Sequence, residues 1–292
     1  MTAHQSFGHI DQRRLADLLG RPVTAVRNLG ARHSWTLHRV TLADGLEVFV
    51  KAGSARAEVF AAEAAGLLWL GENAPAHLVP EVLAVSDGSL VLPWISADEP
   101  TPAAAEQFGR DLAVLHTQPA PCYGADWPGY IADLPLDNTP SHGSWAQWYA
   151  QRRLTPFLRL GGTHLAPDEI RAVEQVIADI DRFAGPPEPP RRIHGDLWSG
   201  NVLWSHGHGV VIDPAAHGGH RETDLAMLAL FGTPHLGRIL AAYNETLPLA
   251  DGWRDRIPLH QLHPLLVHLA LFGAGYRQQV VDTTTAILTS AR

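Results

Sequence analysis

The chain is 292 residues long, 46% apolar and 18% charged, which suits one large domain or two lobes sharing a cleft, with ample material for a core. A formal charge of −8 argues against nucleic acid or an acidic membrane face as the main partner. The single cysteine, Cys122, excludes an internal disulfide framework and any cysteine-based zinc site. No apolar stretch reaches membrane-spanning length and the amino terminus has no apolar signal core, so a cytoplasmic monomer is expected.

The spacing of Ile10, Leu15, Leu18 and Leu19 predicts a short amphipathic helix ending at Gly20 and Pro22. Strands are expected over 23–29, 34–42 and 46–51, the last two joined by an Asp44-Gly45 hairpin turn. Residues 56–70, rich in Ala, Glu and Leu, read as a helix. Strand-like segments at 82–85 and 90–95 follow, and the second runs into a connector. Beyond it the pattern turns helical, over 102–116, 145–160, 167–184, 223–230, 234–246, 261–272 and 276–288. Residues 119–143 read as a long loop region, and 186–190 as a stiff proline spacer. The fold class is therefore α+β: a small antiparallel-sheet lobe with one main helix, residues 1–95, and a larger, mostly helical lobe, residues 96–292.

The densest chemistry lies between Ile193 and Pro214. The apolar run Val210-Val211-Ile212 is short, β-branched and closed by Asp213-Pro214, so it reads as a buried strand delivering Asp213 to its tip. A Gly-rich turn, 205–209, pairs it with a second strand at 202–204. Asp196 and Asn201 precede that hairpin, five residues apart. A loop carboxylate, an amide five residues on and a carboxylate past a hairpin match the layout of protein-kinase-like phosphotransferases. On that layout Asp196 orients and deprotonates an acceptor hydroxyl, while Asn201 and Asp213 hold the Mg²⁺ ions that bridge the phosphates of ATP.

Lys51 is the only lysine in a chain that otherwise uses arginine. A compact ammonium fits among phosphate oxygens in a cleft where a planar guanidinium does not. Its place at the end of the third strand is where the kinase layout puts a phosphate-binding lysine. Of the helix acids Glu58 and Glu63, the second is flanked by small apolar residues suited to burial and is favoured as its partner. The turn from Gly30 to Ser34 would cover the phosphates, although it carries a single glycine. Adenine would be read by the Pro93 carbonyl and the Ile95 N–H.

These motifs resemble the fructosamine kinase (ketosamine-3-kinase) family, in the aminoglycoside phosphotransferase branch of the kinase fold. The resemblance rests on residues 193–201, on 212–222 (IDPAAHGGHRE), on Asp224-Leu-Ala-Met227, on Val48-Phe-Val-Lys51, on Glu63 in its Ala-rich helix and on 261–268. It covers nearly the whole chain and departs at Pro93, where an acid would be expected, and in the glycine-poor phosphate loop. It implies transfer of the ATP γ-phosphoryl group to the third-carbon hydroxyl of a ketosamine, small or protein-linked, whose product then releases the amine. Trp198, two residues past Asp196, would stack on the ketose or pack between lobes. His217, His220, Arg221 and Glu222 would line the acceptor pocket or form a hydrogen-bonded cluster that orders the loop. Asp224 is expected to fix loop backbone at the start of its helix.

No metal is expected on the remaining histidines. His206 and His208 lack a third ligand nearby in sequence, and His260, His263 and His268 lack the spacing to an acid that a helical zinc site wants. Two other readings stay open: a kinase of the same fold for an aminoglycoside, choline or homoserine, and a nucleotide-binding module without turnover.

Overall fold

The computed structural model describes residues 10–53 and 57–290. Asp11 caps α1 (Gln12–Leu19) by accepting from the N–H groups of Arg13 and Arg14, and Gly20, at φ 63°, ends it. The sheet is built from β1 (Val23–Arg32), β2 (Trp35–Leu42) and β3 (Glu47–Ala52), with α2 (Ala57–Gly71) before β4 (Ala84–Ser86) and β5 (Ser89–Pro93). All pairings are antiparallel, in the order β1-β2-β3-β5-β4. Side chains alternate across a strand. One face therefore gathers Val40, Leu42, Val48, Val50 and Val91 over Leu15 of α1. The other turns Trp35, Leu90 and Leu92 toward Phe60, Ala64 and Leu67 of α2. Arg56, included in the helix expected from sequence, lies outside the described residues.

The turn anticipated from Gly30 to Ser34 shrinks to His33-Ser34, because β1 continues to Arg32 and pairs with Trp35. A bulge between Asn28 and Gly30 absorbs the extra residue. Gly30 sits at φ 111° and its N–H donates to Asn28 Oδ1 at 2.7 Å, so the ladder resumes instead of opening into a loop.

The helical part opens with α3 (Pro102–Thr117), capped by the Thr101 hydroxyl with proline at its first position. Within the expected loop region, β6 (Gly129–Ile131) and β7 (Leu134–Leu136) form a small hairpin. The helix expected over 145–160 is interrupted: α4 (Trp145–Tyr149) gives way to a π-helical stretch, Ala150–Leu154, before α5 (Thr155–Gly161). Pro156 has no N–H to return to the preceding turn, and Thr155 donates both its N–H and its hydroxyl, the latter at 2.8 Å, to the Ala150 carbonyl five residues back. Next come α6 (Pro167–Ala178), β8 (Arg191–Ile193), β9 (Val202–Ser205), β10 (His208–Val211), β11 (His217–Gly219), α7 (Glu222–Leu230), α8 (Leu236–Thr246), α9 (Trp253–Phe272) and α10 (Arg277–Ser290). α9 starts well before the expected Gln261 because it runs through Pro258 and Pro264. The carbonyl of His260, which Pro264 cannot serve, accepts from the Tyr149 hydroxyl at 3.1 Å.

One hydrophobic cluster joins the sheet-bearing part to the helical part. It packs Phe60 and Leu67 of α2 and Leu92 of β5 against Phe108 and Leu112 of α3, Val211 of β10 and Tyr243 of α8. A second, among α4, α5, α6, α9 and α10, holds the far end. The motif-bearing segment is thus pinned between α2 and α3.

Candidate active site

Strand alternation places Lys51 on the α2 side of the sheet, two residues beyond Phe49. There its Nζ donates to both oxygens of Glu63, at 2.8 Å each, and to Asp213 Oδ1 at 2.5 Å. Lys51 is 3% exposed and Glu63 8%. Glu58 bonds elsewhere, accepting from Tyr130 Oη at 3.1 Å. Burial alone would depress the Lys51 ammonium, but the carboxylates of Asp213 and Glu63 outweigh it and hold the group above its ordinary value. Burial raises Glu63 against the pull of Lys51. It acts on Asp213 too, but there Lys51 wins and the carboxyl is lowered.

Asp213 is held in the left-handed region, at φ 55°, which a non-glycine residue adopts only when its surroundings over-determine it. They do so through backbone: Ile212 N donates to Asn201 O at 3.0 Å, and Val211 N to Leu78 O at 2.8 Å. Asn201 Nδ2 in turn donates to the Asp196 carbonyl at 2.8 Å and to Asp196 Oδ2 at 3.2 Å. The loop is closed by His194, whose Nε2 donates to Ile212 O at 2.9 Å while Nδ1 accepts from Asp196 N at 3.2 Å. Gly195 stands at φ 80°, and a Cβ there would lie 2.4 Å from the Ala215 carbonyl oxygen. Only glycine fits.

Beneath the loop, the buried Asp224 accepts from His194 N at 2.7 Å and Gly195 N at 2.9 Å. It acts on the preceding loop rather than capping α7, whose flanking residue Arg221 makes no side-chain cap bond. His116 bridges Asp224, at 3.1 Å, to the Tyr243 hydroxyl, at 2.9 Å. His116 and Tyr243 carry no motif in sequence and go unnoticed there, and His194 is visible only as part of the loop motif. Burial, with the neighbouring Asp213 carboxylate, pushes the Asp196 carboxyl up to about 8 in the free protein.

The remaining predicted residues spread out. Trp198 is half-buried, with its ring edge-on to Phe231 at 6.3 Å between centroids. A Cβ at Gly200 would lie 2.2 Å from that ring, so the indole is seated over bare backbone. Ser34 Oγ donates to Asp133 Oδ1 at 2.8 Å, in the β6–β7 turn. Pro93 ends β5, and Ile95 lies just beyond it, both half-buried. His217 is buried, donating from Nδ1 to Ala215 O at 2.8 Å, with its ring 5.2 Å from that of Trp148.

His220 instead lines a separate cavity of about 450 Å³ with Tyr123, Ser144, Trp145 and Glu188. Arg221 forks onto both oxygens of Glu188, at 2.8 and 2.7 Å, and onto the carbonyls of Leu247 and Pro248. Both oxygens of Glu222 are taken by Arg256, at 2.8 and 2.6 Å. Arg221 and Glu222 thus spend their charges inside the protein, which is the loop-ordering alternative that the sequence left open. The structure also changes the expectation for His208, which gains His77 and Asp111 as neighbours from distant parts of the chain.

Two chemistries follow from the arrangement. The Lys51 ammonium, held by the carboxylates of Glu63 and Asp213, is a fixed positive charge of the kind that binds anionic oxygens. Asp213 offers a carboxylate, and Asn201, whose Nδ2 is spent on Asp196, offers its amide oxygen; hard oxygen donors of this kind suit Mg²⁺.

Comparison with known proteins places nearly the whole chain among known folds and families. A family model described as fructosamine kinase matches residues 24–290. A protein of Enterococcus faecium named as a probable ketoamine kinase is 36% identical over 201 residues, which cover 67% of this chain and 70% of that one. A crystal structure from Thermobifida fusca, named as a candidate fructosamine-3-kinase, superposes with a TM-score of 0.92 at 53% identity, covering 96% of this chain and 99% of that one. An aminoglycoside phosphotransferase in complex with ADP and hygromycin B reaches a TM-score of 0.64 at 16% identity over 97% of this chain and 99% of that one, a likeness of fold alone.

Proposed function

Because the chain belongs to the fructosamine kinase family, we propose that it transfers the γ-phosphoryl group of ATP to the third-carbon hydroxyl of a ketosamine. The observation that carries this reading is the joining of Lys51, Glu63 and Asp213 to the Asp196–Asn201 loop through one short stretch of backbone. Residues 1–95 serve as the nucleotide lobe and 96–292 as the catalytic and acceptor lobe. Lys51, steadied by Glu63, holds the phosphates, and Asn201 and Asp213 are the metal ligands. When bound, Mg²⁺ neutralises charge that develops on the phosphoryl oxygens.

Asp196 orients the acceptor hydroxyl and takes its proton as the new P–O bond forms and the bond to ADP breaks. A loose transition state asks little of the base, so positioning dominates. Ser34 lies over the phosphates, and the Pro93 carbonyl with the Ile95 N–H reads adenine. Trp198 offers its face to the ketose, with His217 behind the loop; His220, Arg221 and Glu222 act at one remove, by ordering the segment that follows Asp213.

The test is an ATP-consumption assay with Mg²⁺ on ribulosyl- and fructosyl-lysine derivatives, an aminoglycoside, choline and homoserine, with Asp196→Asn as control. Turnover on the ketosamines, lost in the variant, is the expected result. Turnover confined to the other acceptors would overturn the choice of substrate while leaving the catalytic roles in place.

A further inference from the structure

We propose that His77, Asp111 and His208 form a binding site for a divalent transition metal, zinc above all, separate from the nucleotide chemistry. The three come from three elements: the segment between α2 and β4, the middle of α3, and the start of β10. One ligand atom from each falls in a group whose members all lie within 4.8 Å of one another. His77 Nε2 and Asp111 Oδ2 are 2.7 Å apart, and the rings of His77 and His208 are 4.0 Å apart at a tilt of 37°. His208 Nδ1 is buried and has no hydrogen-bond partner among the described residues.

A histidine–aspartate hydrogen bond accounts for two of these residues and leaves the third unexplained. A second imidazole pressed against the first, with a buried nitrogen unpaired, is an unfavourable arrangement by itself. A metal ion would take that lone pair. Two imidazoles and one carboxylate are the donor set of three-ligand zinc sites, with a fourth position left for water. Mg²⁺ and Ca²⁺ prefer oxygen donors and would not select this set. Gln107 Nε2 donates to the other carboxylate oxygen of Asp111, at 2.8 Å, and so fixes the orientation of the ligand. Zinc bonds of about 2.0–2.2 Å require the 2.7 Å hydrogen bond to open around the ion and His208 to close in. The His77 side chain, 35% exposed, has room to turn.

The location gives the site a consequence. Val211 N already bonds to Leu78 O at 2.8 Å, so the metal would tie together the same two segments, one of which runs on into Asp213. It would act as a clip between the α2–β4 segment and the hairpin.

The experiment titrates zinc into the chelator-stripped full chain by calorimetry, with millimolar Mg²⁺ present to occupy the sites on Asn201 and Asp213. Cobalt(II) serves as a visible-absorption probe of four-coordinate geometry. The wild type is expected to bind one equivalent of zinc. His208→Gln should weaken it about 100-fold and remove the cobalt band, with far-UV circular dichroism unchanged; His77→Gln, at a more exposed position, repeats the test should His208→Gln fail to fold. Asp213→Asn should bind zinc as the wild type does. Equal zinc affinity in the wild type and both histidine variants, or binding lost only with Asp213→Asn, would overturn the proposal.

Discussion

At the scale of single residues, Asp196 and Lys51 invite direct tests. Asp196→Asn keeps the size and the contact with Asn201 but removes the base. It is expected to bind ATP normally and to lose about 10²–10⁴ in kcat; wild-type turnover by the same variant would remove Asp196 from that role. Lys51→Arg keeps the charge but must fit a planar fork between Glu63 and Asp213, where one nitrogen now reaches both. A fall in kcat/KM for ATP of at least about tenfold is expected from steady-state kinetics. Both residues were legible in sequence, Lys51 because it is unique and Asp196 because of the hairpin that follows it. His116 and Tyr243 were not, because a buried histidine on an ordinary helix pattern looks like any other core position until Asp224 is placed beneath the loop.

At the scale of elements, the loop between β8 and β9 depends on features that side-chain chemistry alone does not reveal. Gly195→Ala would meet both a left-handed backbone and the Ala215 carbonyl. Denaturant unfolding should show a loss of about 2 kcal/mol or more, since strain and steric overlap combine. Gly200→Ala displaces the Trp198 ring. The expected result is a KM for the ketosamine raised by about tenfold with ATP affinity intact; unchanged KM for both would assign the indole to packing against Phe231. The helical spacing of α1, and of Phe108, Leu112 and Leu115 in α3, could be read from sequence, as could the β2–β3 hairpin with its Asp44-Gly45 turn. The β6–β7 hairpin was hidden because its strands are three residues long and Pro135 lies within one of them. The early start of α9 was hidden by Pro258, which sequence reasoning treats as a break.

For the whole molecule, the shared core means that the sheet-bearing and helical parts should unfold together. Acid should unsettle both through the region behind the loop. Burial holds His217 and His220 neutral, at about 3 each, below their ordinary 6.5. An unfolded chain would protonate them first, so this stability is complete above about 6.5 and is lost progressively as the pH falls toward 3. Glu222, held at about 2 by its partners His260 and Arg256 against burial, adds a loss that begins below about 4.5. The midpoint of urea unfolding should therefore drop steadily between pH 7 and pH 4; a flat profile would mean that these histidines are not kept neutral. The sequence offered Arg221 and Glu222 as a cluster but not its partners: Arg256 and His260 meet Glu222 only when α7 packs on α9, and Glu188 comes from the proline spacer.

The scarcity of lysine has one more consequence. Sugars glycate amines, and the rearranged ketosamines that follow form on amino groups rather than on guanidinium groups. This chain carries a single side-chain amine, which is 3% exposed, kept protonated and gripped by two carboxylates. A chain so built offers reducing sugars no accessible lysine, so ketosamines would find no exposed side-chain amine on which to form.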